Sequence, residues 1–316
     1  MQKGLKSSRA PKKAIMKFIE KFNGLAETNK PLAELNTFGT GGPAQLYSRI
    51  HSTEELSAVV KAASELEIPF FMLGGGSNLL ISDEGYDGLI IHNCIMGMEL
   101  SGENLTCGAG EKLQTLVDFA AENSLSGLEF ASGIWGTVGG AVFGNAGAYG
   151  AEIGNTVSSV ELVDRLGNIR IEMAPYFEFN YRYSKLKKTR EFVTKATFAL
   201  KMGDKEKIRC KIEEIMAARM SKLPSIEHSA GCFFKNIPDD SQPYGKLPAG
   251  KLLDEIGAKD ISYGGARVYG NHANIIINNG SAHSKDIYHL AEILKKKVKA
   301  KFGVDLSEEI TYLGKF

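Results

Sequence analysis

The chain has 316 residues, of which 43% are hydrophobic and 24% are charged, and its 38 basic side chains nearly balance 37 acidic ones. This balance argues against a protein that binds nucleic acid by bulk charge, and the many aliphatic residues argue against disorder. The 35 glycines exceed by about thirteen the number that average usage gives for this length, yet no Gly-X-Y period indicates collagen. The length allows two domains or more.

The N-terminal residues 1–13 are polar and basic, and they contain no apolar run long enough for a signal peptide or a membrane span. We therefore expect a cytoplasmic protein. The four cysteines show no C-x-x-C pair and no histidine at zinc-finger spacing, so we predict free thiols, no disulfide framework and no metal site. These cysteines are Cys94, Cys107, Cys210 and Cys232.

Hydrophobic periodicity predicts the elements of the first half of the chain. Residues 12–23 place four apolar side chains on one face of a docking helix, and Pro31 ends this lead-in. Next come a helix over 52–67 with a Ser/Thr cap, strands over 69–73 and 89–92, and a helix over 112–123. Residues 133–154 are too rich in glycine and alanine for ordinary helices or strands.

The second half begins with a predicted hairpin and a further strand, and a domain boundary is expected near Gly203. The predicted elements are strands over 157–164, 169–173 and 192–200, an amphipathic helix over 204–221, a strand over 274–277, a helix over 285–301 and one closing strand over 304–313. We therefore divide the chain into a tail with the docking helix (1–34), a first domain (35–203), a second domain (204–303) and the closing strand (304–316).

Three consecutive glycines, Gly74 to Gly76, directly follow a predicted apolar strand. Glycines let successive backbone N–H groups turn inward, and the neighbouring Ser77 and Asn78 add short hydrogen-bonding side chains, so this loop suits a diphosphate. A plain tight turn explains the three glycines equally well. The loop matches neither the Rossmann pattern G-x-G-x-x-G nor the P-loop pattern.

A second stretch, residues 131–150, carries seven glycines. Such spacing lets the backbone approach a flat or extended ligand closely, with main-chain groups as hydrogen-bonding partners. A purely structural packing segment is the alternative. Taken together, the two glycine stretches predict an extended groove that holds a large cofactor.

Seven motifs occur in order along the chain: NTFGTGGPA at 36–44, GGGSNLL at 74–80, SGIWGTVGGA at 132–141, NAGAYG at 145–150, YRYS at 181–184, GCFFKN at 231–236 and AGKLLDEIG at 249–257. By these motifs, from about Leu35 to Gly314, the chain resembles the UDP-N-acetylenolpyruvoylglucosamine reductase family. The resemblance implies an α+β fold with an FAD-binding domain similar to that of p-cresol methylhydroxylase and vanillyl-alcohol oxidase, plus a smaller α/β substrate-binding domain. It indicates the shorter form of the family, which lacks an insertion in the substrate domain.

The resemblance also implies a reaction in peptidoglycan synthesis, in which NADPH reduces non-covalent FAD and the flavin reduces the enolpyruvyl ether of a UDP-sugar to UDP-N-acetylmuramate. The implied partners are the UDP-sugar and NADPH, without nucleic acid or membrane, and we expect a monomer. The implied FAD-binding residues are Gly74, Gly75, Gly76, Ser77, Asn78, Leu79, Gly133, Ile134, Gly136, Thr137, Gly139, Gly140, Ala141 and Asn145. The implied substrate-binding residues are Tyr149, Tyr181, Lys235, Asn236 and His272.

Three residues are implied as catalytic by their places in the motifs. Arg182 matches the family's catalytic arginine, and its permanent charge suits charge that develops beside a carboxylate. Cys232 stands where the family commonly carries a proton-donating serine, and a thiol with a pKa of about 8.5 stays mostly protonated at neutral pH. Glu309 rather than Glu308 matches the family glutamate, which would share a proton with the substrate carboxylate. Trp135 is a further departure, since proline is common there.

Two other functions stay open on the sequence alone. A flavin oxidoreductase that acts on an alcohol or a phenol would keep both glycine stretches, but it has no reason to combine YRYS, the thiol of GCFFKN and the terminal glutamate. A non-catalytic protein that binds a UDP-sugar or a nucleotide would use the glycine loops without redox chemistry. Bound FAD would exclude the non-catalytic protein, and NADPH oxidation that depends on the enolpyruvyl UDP-sugar would separate the two enzymes.

Overall fold

The structure, a computed structural model, describes residues 10–221, 223, 228–242 and 245–316. Within these residues the α-helices are α1 (Lys12–Lys21), α2 (Thr53–Glu65), α3 (Leu113–Glu122), α4 (Val138–Gly144), α5 (Leu186–Thr189), α6 (Lys205–Met220), α7 (Ala249–Glu255) and α8 (Ser284–Phe302). The predicted helices correspond to α1, α2, α3, α6 and α8, and they are confirmed. No helix in this part of the chain is both long and apolar enough to cross a membrane.

The strands lie between these helices. The predicted strands correspond to β3, β5, β11, β12, β13 and β20 in the series below, and they are confirmed. In chain order they are β1 (Ala26–Pro31), β2 (Pro43–Ile50), β3 (Phe70–Leu73), β4 (Leu79–Ile81), β5 (Tyr86–Asn93), β6 (Met98–Ser101), β7 (Asn104–Gly108), β8 (Leu125–Ser126), β9 (Gly147–Ala148), β10 (Ala151–Glu152), β11 (Val157–Val163), β12 (Ile169–Met173), β13 (Phe192–Ala199), β14 (Lys201–Met202), β15 (Ser229–Cys232), β16 (Ile237–Pro238), β17 (Lys246–Leu247), β18 (Ser262–Tyr263), β19 (Ala266–Tyr269), β20 (His272–Asn278) and β21 (Thr311–Leu313).

The first sheet has the strand order β1-β2-β5-β3, and its β2–β5 and β5–β3 pairs are parallel. Helix α2 begins at Ser52, whose side chain accepts a hydrogen bond from the Glu55 N–H, and it packs its apolar face on this sheet. Phe18 of α1 is fully buried in the same core, which confirms the docking helix. Pro31, however, belongs to the edge strand β1, whose side chains are mostly exposed and therefore show no apolar alternation in the sequence.

The second sheet is antiparallel, with the order β12-β11-β13-β7-β6, and helices α3 and α4 share its core. Helix α4 corrects the expectation that residues 133–154 contain no ordinary helix. The Thr137 side chain accepts a hydrogen bond from the Gly140 N–H, and Val138 and Val142 are fully buried. Capping and burial thus outweigh the low helix propensity of the glycines.

The third sheet, with the order β15-β20-β19-β18, packs with helices α7 and α8 around a second core. Helix α6 does not join this core: it packs against α3 and the 3-10 turn Glu129–Ala131, and Ile212 contacts the larger core. The apolar face of α6 thus belongs with the first domain, although we expected the boundary before this helix. The division of the chain at residue 203 stays a prediction, and this packing favours a boundary after α6.

The closing strand predicted over 304–313 is wrong in its extent, because only β21 is a strand, and it pairs in parallel with β4 of the larger domain. Before β21 the chain pairs with the smaller domain: the Lys235 N–H donates to the Ser307 carbonyl, and the Glu309 N–H donates to the Phe233 carbonyl, each at 2.8 Å. We call residues 305–313 the crossing segment. A change of partner within this segment is what prevents one continuous strand.

Candidate active site

The two glycine stretches lie in direct contact. A Cβ at Gly75 would lie 3.0 Å from the Gly136 Cα, and a Cβ at Gly74 would lie 2.6 Å from Thr137 Oγ1. Ser77 Oγ donates a 3.0 Å hydrogen bond to the carbonyl that precedes Gly136. At these positions the glycines allow one loop to approach the other, which is the packing role weighed from the sequence. The ligand role of the same glycines stays a prediction.

Beside this contact, three buried polar atoms have no hydrogen-bond partner: Asn36 Oδ1, Thr37 Oγ1 and Thr40 Oγ1. They are held next to the first glycine stretch, because the Thr37 N–H donates to the Gly76 carbonyl at 3.3 Å. Buried polar atoms are almost always satisfied in a folded protein, so a polar ligand at this place would complete them. The observation fits FAD. The sequence motif NTFGTGG pointed to the family, but these side chains were missed as ligand contacts.

Helix α4 leaves an open flank for a flat ligand, since a Cβ at Gly144 would meet no atom within 4 Å and the nearest atom to a Cβ at Gly140 lies at 3.6 Å. Gly139 instead faces Ala109, with 2.9 Å between the two Cβ positions. The predicted FAD-binding residues that are buried inside the protein are Gly76, Leu79, Thr137, Ala141 and Asn145. Ile134 is half-buried against the larger core.

Arg182 lies in a tight turn, in which Asn180 and Tyr183 exchange two backbone hydrogen bonds of 3.0 and 2.9 Å. Its φ is 51°, a left-handed conformation that turns of this kind usually assign to glycine or asparagine. An arginine there costs on the order of 1 kcal/mol. The side chain of Asn145 donates a 2.8 Å hydrogen bond to the Asn180 carbonyl and thereby fixes the turn to the end of α4.

The guanidinium of Arg182 forms an ion pair with Glu309, with 2.5 Å between Nε and Oε1. Burial alone would lower the pKa of Arg182, but the charges of Glu309 and Tyr181 and the hydrogen bond to Glu309 together raise it. The guanidinium therefore stays charged at any working pH. The role expected for Glu309 from the sequence, a proton shared with the substrate carboxylate, stays a prediction.

The crossing segment decides which glutamate reaches Arg182. Asn78 Nδ2 donates to the Glu309 carbonyl at 3.2 Å, and the neighbouring Glu308 accepts a 2.8 Å hydrogen bond from Lys295 Nζ. The two side chains thus serve different sides of the extended segment, as backbone alternation requires. The structure brings Glu309, and not Glu308, to Arg182.

Cys232 ends strand β15, and its side chain is exposed on the wall of the site. The residue as a whole is exposed, but the surrounding protein desolvates its thiol and Glu309 adds a negative charge nearby. These two causes raise the pKa of Cys232 to about 11 against the lowering effect of Arg182 and Arg219. The thiol is therefore fully protonated at neutral pH. A fixed cation at this place can bind a carboxylate, and the protonated thiol beside it can deliver a proton to a neighbouring carbon.

The predicted substrate residues Tyr181 and Asn236 join the two domains at this site. The Asn236 N–H donates to the Tyr181 hydroxyl at 3.3 Å, and the Asn236 side chain accepts a 3.2 Å hydrogen bond from the Ala249 N–H. Lys246 Nζ lies 3.6 Å from the centre of the Tyr181 ring. The charge of Lys235 reaches the same region, where it acts on Lys187 of α5.

Arg219 near the end of α6 is a site residue that the sequence did not reveal. It lies against the second glycine stretch, since a Cβ at Gly133 would be 3.2 Å from its Nε, and this Nε is buried without a partner. Burial lowers the pKa of Arg219 below its ordinary value, although the nearby Tyr149 and Cys232 act in the opposite direction. Tyr149 itself is exposed, with φ at 53°. One arginine on an amphipathic helix carries no pattern, so only the packing of α6 could have found it.

His272, the last predicted substrate residue, lies at the start of β20 behind the Cys232 motif. Its Nδ1 accepts a 3.2 Å hydrogen bond from the Asn274 N–H, and the Asn274 side chain bonds both backbone groups of Phe234. His272 thus contacts Asn274, whose side chain holds the backbone two residues after Cys232. No group of three or more potential metal ligands occurs among the residues that the structure describes.

Comparison with known protein families matches residues 44–171 to an FAD binding domain. Residues 223–313 match the C-terminal domain of UDP-N-acetylenolpyruvoylglucosamine reductase. These matches confirm the predicted α+β architecture of an FAD-binding domain followed by a smaller domain. The second match begins directly after α6, where the packing of that helix also favours the boundary.

Individual relatives agree with the family matches. The UDP-N-acetylenolpyruvoylglucosamine reductase of Caldanaerobacter subterraneus is 38% identical over 287 residues, covering 90% of this chain and 93% of that protein. The protein of the same name from Chlamydia felis is 37% identical, with 88% and 91% covered. A crystal structure of the reductase from Thermus caldophilus gives a TM-score of 0.76 at 34% identity and covers 91% of this chain and 98% of that one. The present chain therefore belongs to the UDP-N-acetylenolpyruvoylglucosamine reductase family and binds FAD.

Proposed function

We propose that this chain uses NADPH to reduce the enolpyruvyl ether of UDP-N-acetylenolpyruvoylglucosamine to the lactyl ether of UDP-N-acetylmuramate. The convergence of Arg182, Cys232 and Glu309 from three separate segments supports this proposal most strongly. Reducing an enol ether beside a carboxylate needs a hydride donor, a cation near the developing negative charge, and an acid that protonates the second carbon. Bound FAD supplies the hydride, and side chains of this protein supply the cation and the acid.

In this proposal the Arg182 guanidinium holds the substrate carboxylate and stabilises the charge that develops on it during reduction. Cys232 then transfers its thiol proton to the carbanion-like carbon, and the raised pKa of Cys232 keeps that proton available until the carbon demands it. Glu309 orients the guanidinium through their ion pair. Its negative charge also opposes loss of the Cys232 proton before substrate binds.

Substrate and cofactor would occupy the two sides of the cluster formed by Arg182, Cys232 and Glu309. We assign the FAD to the groove formed by the glycine stretches, with the unpartnered atoms of Asn36, Thr37 and Thr40 as added contacts. The UDP-sugar would meet the cationic side, where Arg219 has a free donor in its buried Nε. The other predicted contacts with the UDP-sugar are Tyr149, Tyr181, Lys235, Asn236 and His272. A cytoplasmic monomer remains our expectation for the working enzyme.

The two half-reactions test this function separately, because stopped-flow absorbance follows flavin reduction by NADPH and flavin reoxidation by the enolpyruvyl UDP-sugar in turn. Cys232→Ala should leave reduction within about twofold but slow reoxidation at least about a hundredfold, the usual contribution of a positioned acid. Cys232→Ser should retain reoxidation, since a hydroxyl can also carry the proton. Cys210→Ala, at an exposed cysteine in α6, is the matched control.

Two results would contradict the proposal. If reoxidation by the enolpyruvyl UDP-sugar is as fast in Cys232→Ala as in Cys210→Ala, the thiol is not the acid. If the reduced holoenzyme is not reoxidised by this UDP-sugar at all, the substrate assignment fails, and an alcohol or phenol oxidoreductase becomes the better description.

A further inference from the structure

Lys187 of α5 is a half-buried cation that the reaction proposed above does not use. It follows Arg182 by five residues, and its Nζ donates a 2.7 Å hydrogen bond to the Arg182 carbonyl. This Nζ also lies 5.9 Å from the centre of the ring of Phe143, a residue in the last turn of α4. An apolar side chain would fill this space without the cost of desolvating an ammonium group, so packing alone does not account for the lysine.

The carbonyl that Lys187 binds belongs to the one residue of the turn that is held in a left-handed conformation. Arg182 has φ at 51°, and the negative φ that arginine prefers would rotate the peptide group that follows it. That rotation would carry the carbonyl away from the ammonium. The hydrogen bond therefore opposes relaxation of Arg182, and relaxation would withdraw the guanidinium from Glu309.

The charges around Lys187 make this contact depend on pH. Its ammonium is desolvated by burial and lies near the cations Lys235, Arg182 and Arg190. These causes outweigh the negative charge of Glu309 and lower the pKa of Lys187 to about 8. At neutral pH the group is charged, and a charged donor forms the stronger hydrogen bond. Above pH 8 the amine becomes neutral and its hold on the carbonyl weakens.

We propose that Lys187 is a positioning residue that clamps the Arg182 carbonyl and so keeps the guanidinium aligned with Glu309 for reduction of the substrate. This inference rests on the proposed role of Arg182. Lys187 acts through the backbone of Arg182 and is not itself a catalytic residue. The variant Lys187→Met removes the ammonium while it keeps the length and the apolar stem of the side chain.

The experiment compares Lys187→Met with Lys188→Met in the FAD-loaded enzyme. Lys188 is the exposed neighbour on α5 and gives a matched control for loss of one positive charge. Lys187→Met should slow flavin reoxidation by the enolpyruvyl UDP-sugar at least about tenfold, the loss expected for one charge-assisted hydrogen bond, while NADPH reduction changes less than about twofold. Lys187→Arg should restore most of the rate, because its guanidinium also donates to a carbonyl.

The pH profile separates a clamp from a merely structural lysine. Reoxidation in the unaltered enzyme should fall as the pH rises through about 8, where Lys187 loses its proton. Lys187→Arg stays charged and should keep its rate up to a pH of about 10. Flavin absorbance and thermal unfolding establish that each variant is folded, and Lys187→Gln replaces Lys187→Met if the latter does not bind FAD.

The outcomes distinguish this inference from the function on which it rests. Reoxidation in Lys187→Met at the rate of Lys188→Met, or a change confined to KM, would overturn the clamp. Arg182→Ala provides the second reference. If Arg182→Ala is slow and Lys187→Met is fast, only the clamp fails; if Arg182→Ala is itself fast, the proposed function fails.

Discussion

The glycine stretches bring distant parts of the chain together by one means, and the cluster formed by Arg182, Cys232 and Glu309 does so by the opposite means. Between the glycine stretches, the absence of side chains lets backbone touch backbone, as at Gly75 and Gly136. In the cluster, long charged side chains reach across a domain boundary, as Arg182 and Glu309 do. The first contact has little freedom to vary, whereas the second depends on a strained turn and on the crossing segment. A variant of the glycine contact should therefore impair cofactor binding without altering substrate chemistry, and a variant of the charged contact should do the reverse.

The largest effect should come from filling the close approach between Gly76 of the first glycine stretch and the backbone of residues 35 and 36. A Cβ at Gly76 would lie 2.0 Å from the Leu35 carbonyl oxygen, and its φ of 64° is unfavourable for alanine. Gly76→Ala should therefore lower the free energy of unfolding by about 3 kcal/mol and reduce FAD occupancy, because backbone cannot move aside as a side chain can. Thermal unfolding and the flavin-to-protein absorbance ratio measure both effects.

Gly270→Ala serves as the control for this prediction, since a Cβ at Gly270 meets no atom within 4 Å. It should unfold like the unaltered protein and carry a full complement of FAD. Equal FAD occupancy in the two variants would show that the close approach of Gly76 to residues 35 and 36 does not shape the cofactor groove.

An intermediate effect is expected from breaking the charged contact. Glu309→Gln removes the charge that orients Arg182, and we expect flavin reoxidation by the enolpyruvyl UDP-sugar to slow about tenfold to a hundredfold with unchanged FAD binding. Glu308→Gln is the matched control, because its partner is Lys295 and it should alter stability more than rate. A slower reaction in Glu308→Gln than in Glu309→Gln would reverse the assignment of the two glutamates.

The smallest perturbation is chemical and leaves the contacts intact. With the pKa of Cys232 raised to about 11, its thiolate fraction at pH 8 should be roughly two hundred times lower than that of an ordinary thiol. Iodoacetamide should therefore modify Cys232 far more slowly than the exposed Cys210, as followed by mass spectrometry. Glu309→Gln should accelerate the labelling of Cys232, since the carboxylate is one cause of the raised pKa. Rapid labelling of Cys232 in the unaltered protein would contradict its role as a stored proton.

Features that depend on a short stretch of sequence were predictable, and those that depend on distant contacts were not. The Ser52 cap and apolar face of α2 are local, and they gave the correct helix. Helix α4 was missed because glycine and alanine content argued against it, while its stability comes from the Thr137 cap and burial in the larger core. The crossing segment changes its pairing partner halfway, and no periodicity within it records that change.

The candidate site divides in the same way. Motif positions identified Arg182, Cys232 and Glu309, and the structure places the three together. Arg219 and Lys187 carry no motif of their own, and their importance follows from burial without a full set of partners or from a single contact with a strained backbone. Residues of this second kind become visible only when the packing around them is known.

The crossing segment also returns the end of the chain to the larger domain. Because β21 returns to pair with β4, and the Ser82 side chain donates a 2.7 Å hydrogen bond to the Lys315 carbonyl, the larger domain is built from both sides of the smaller one along the chain. Along the chain, the smaller domain therefore lies between two segments that pair with each other, β4 and β21. Replacing it by recombination would require two crossover points, one after α6 and one before β21. A junction placed beyond Glu309 would exchange the partner of Arg182 together with the domain.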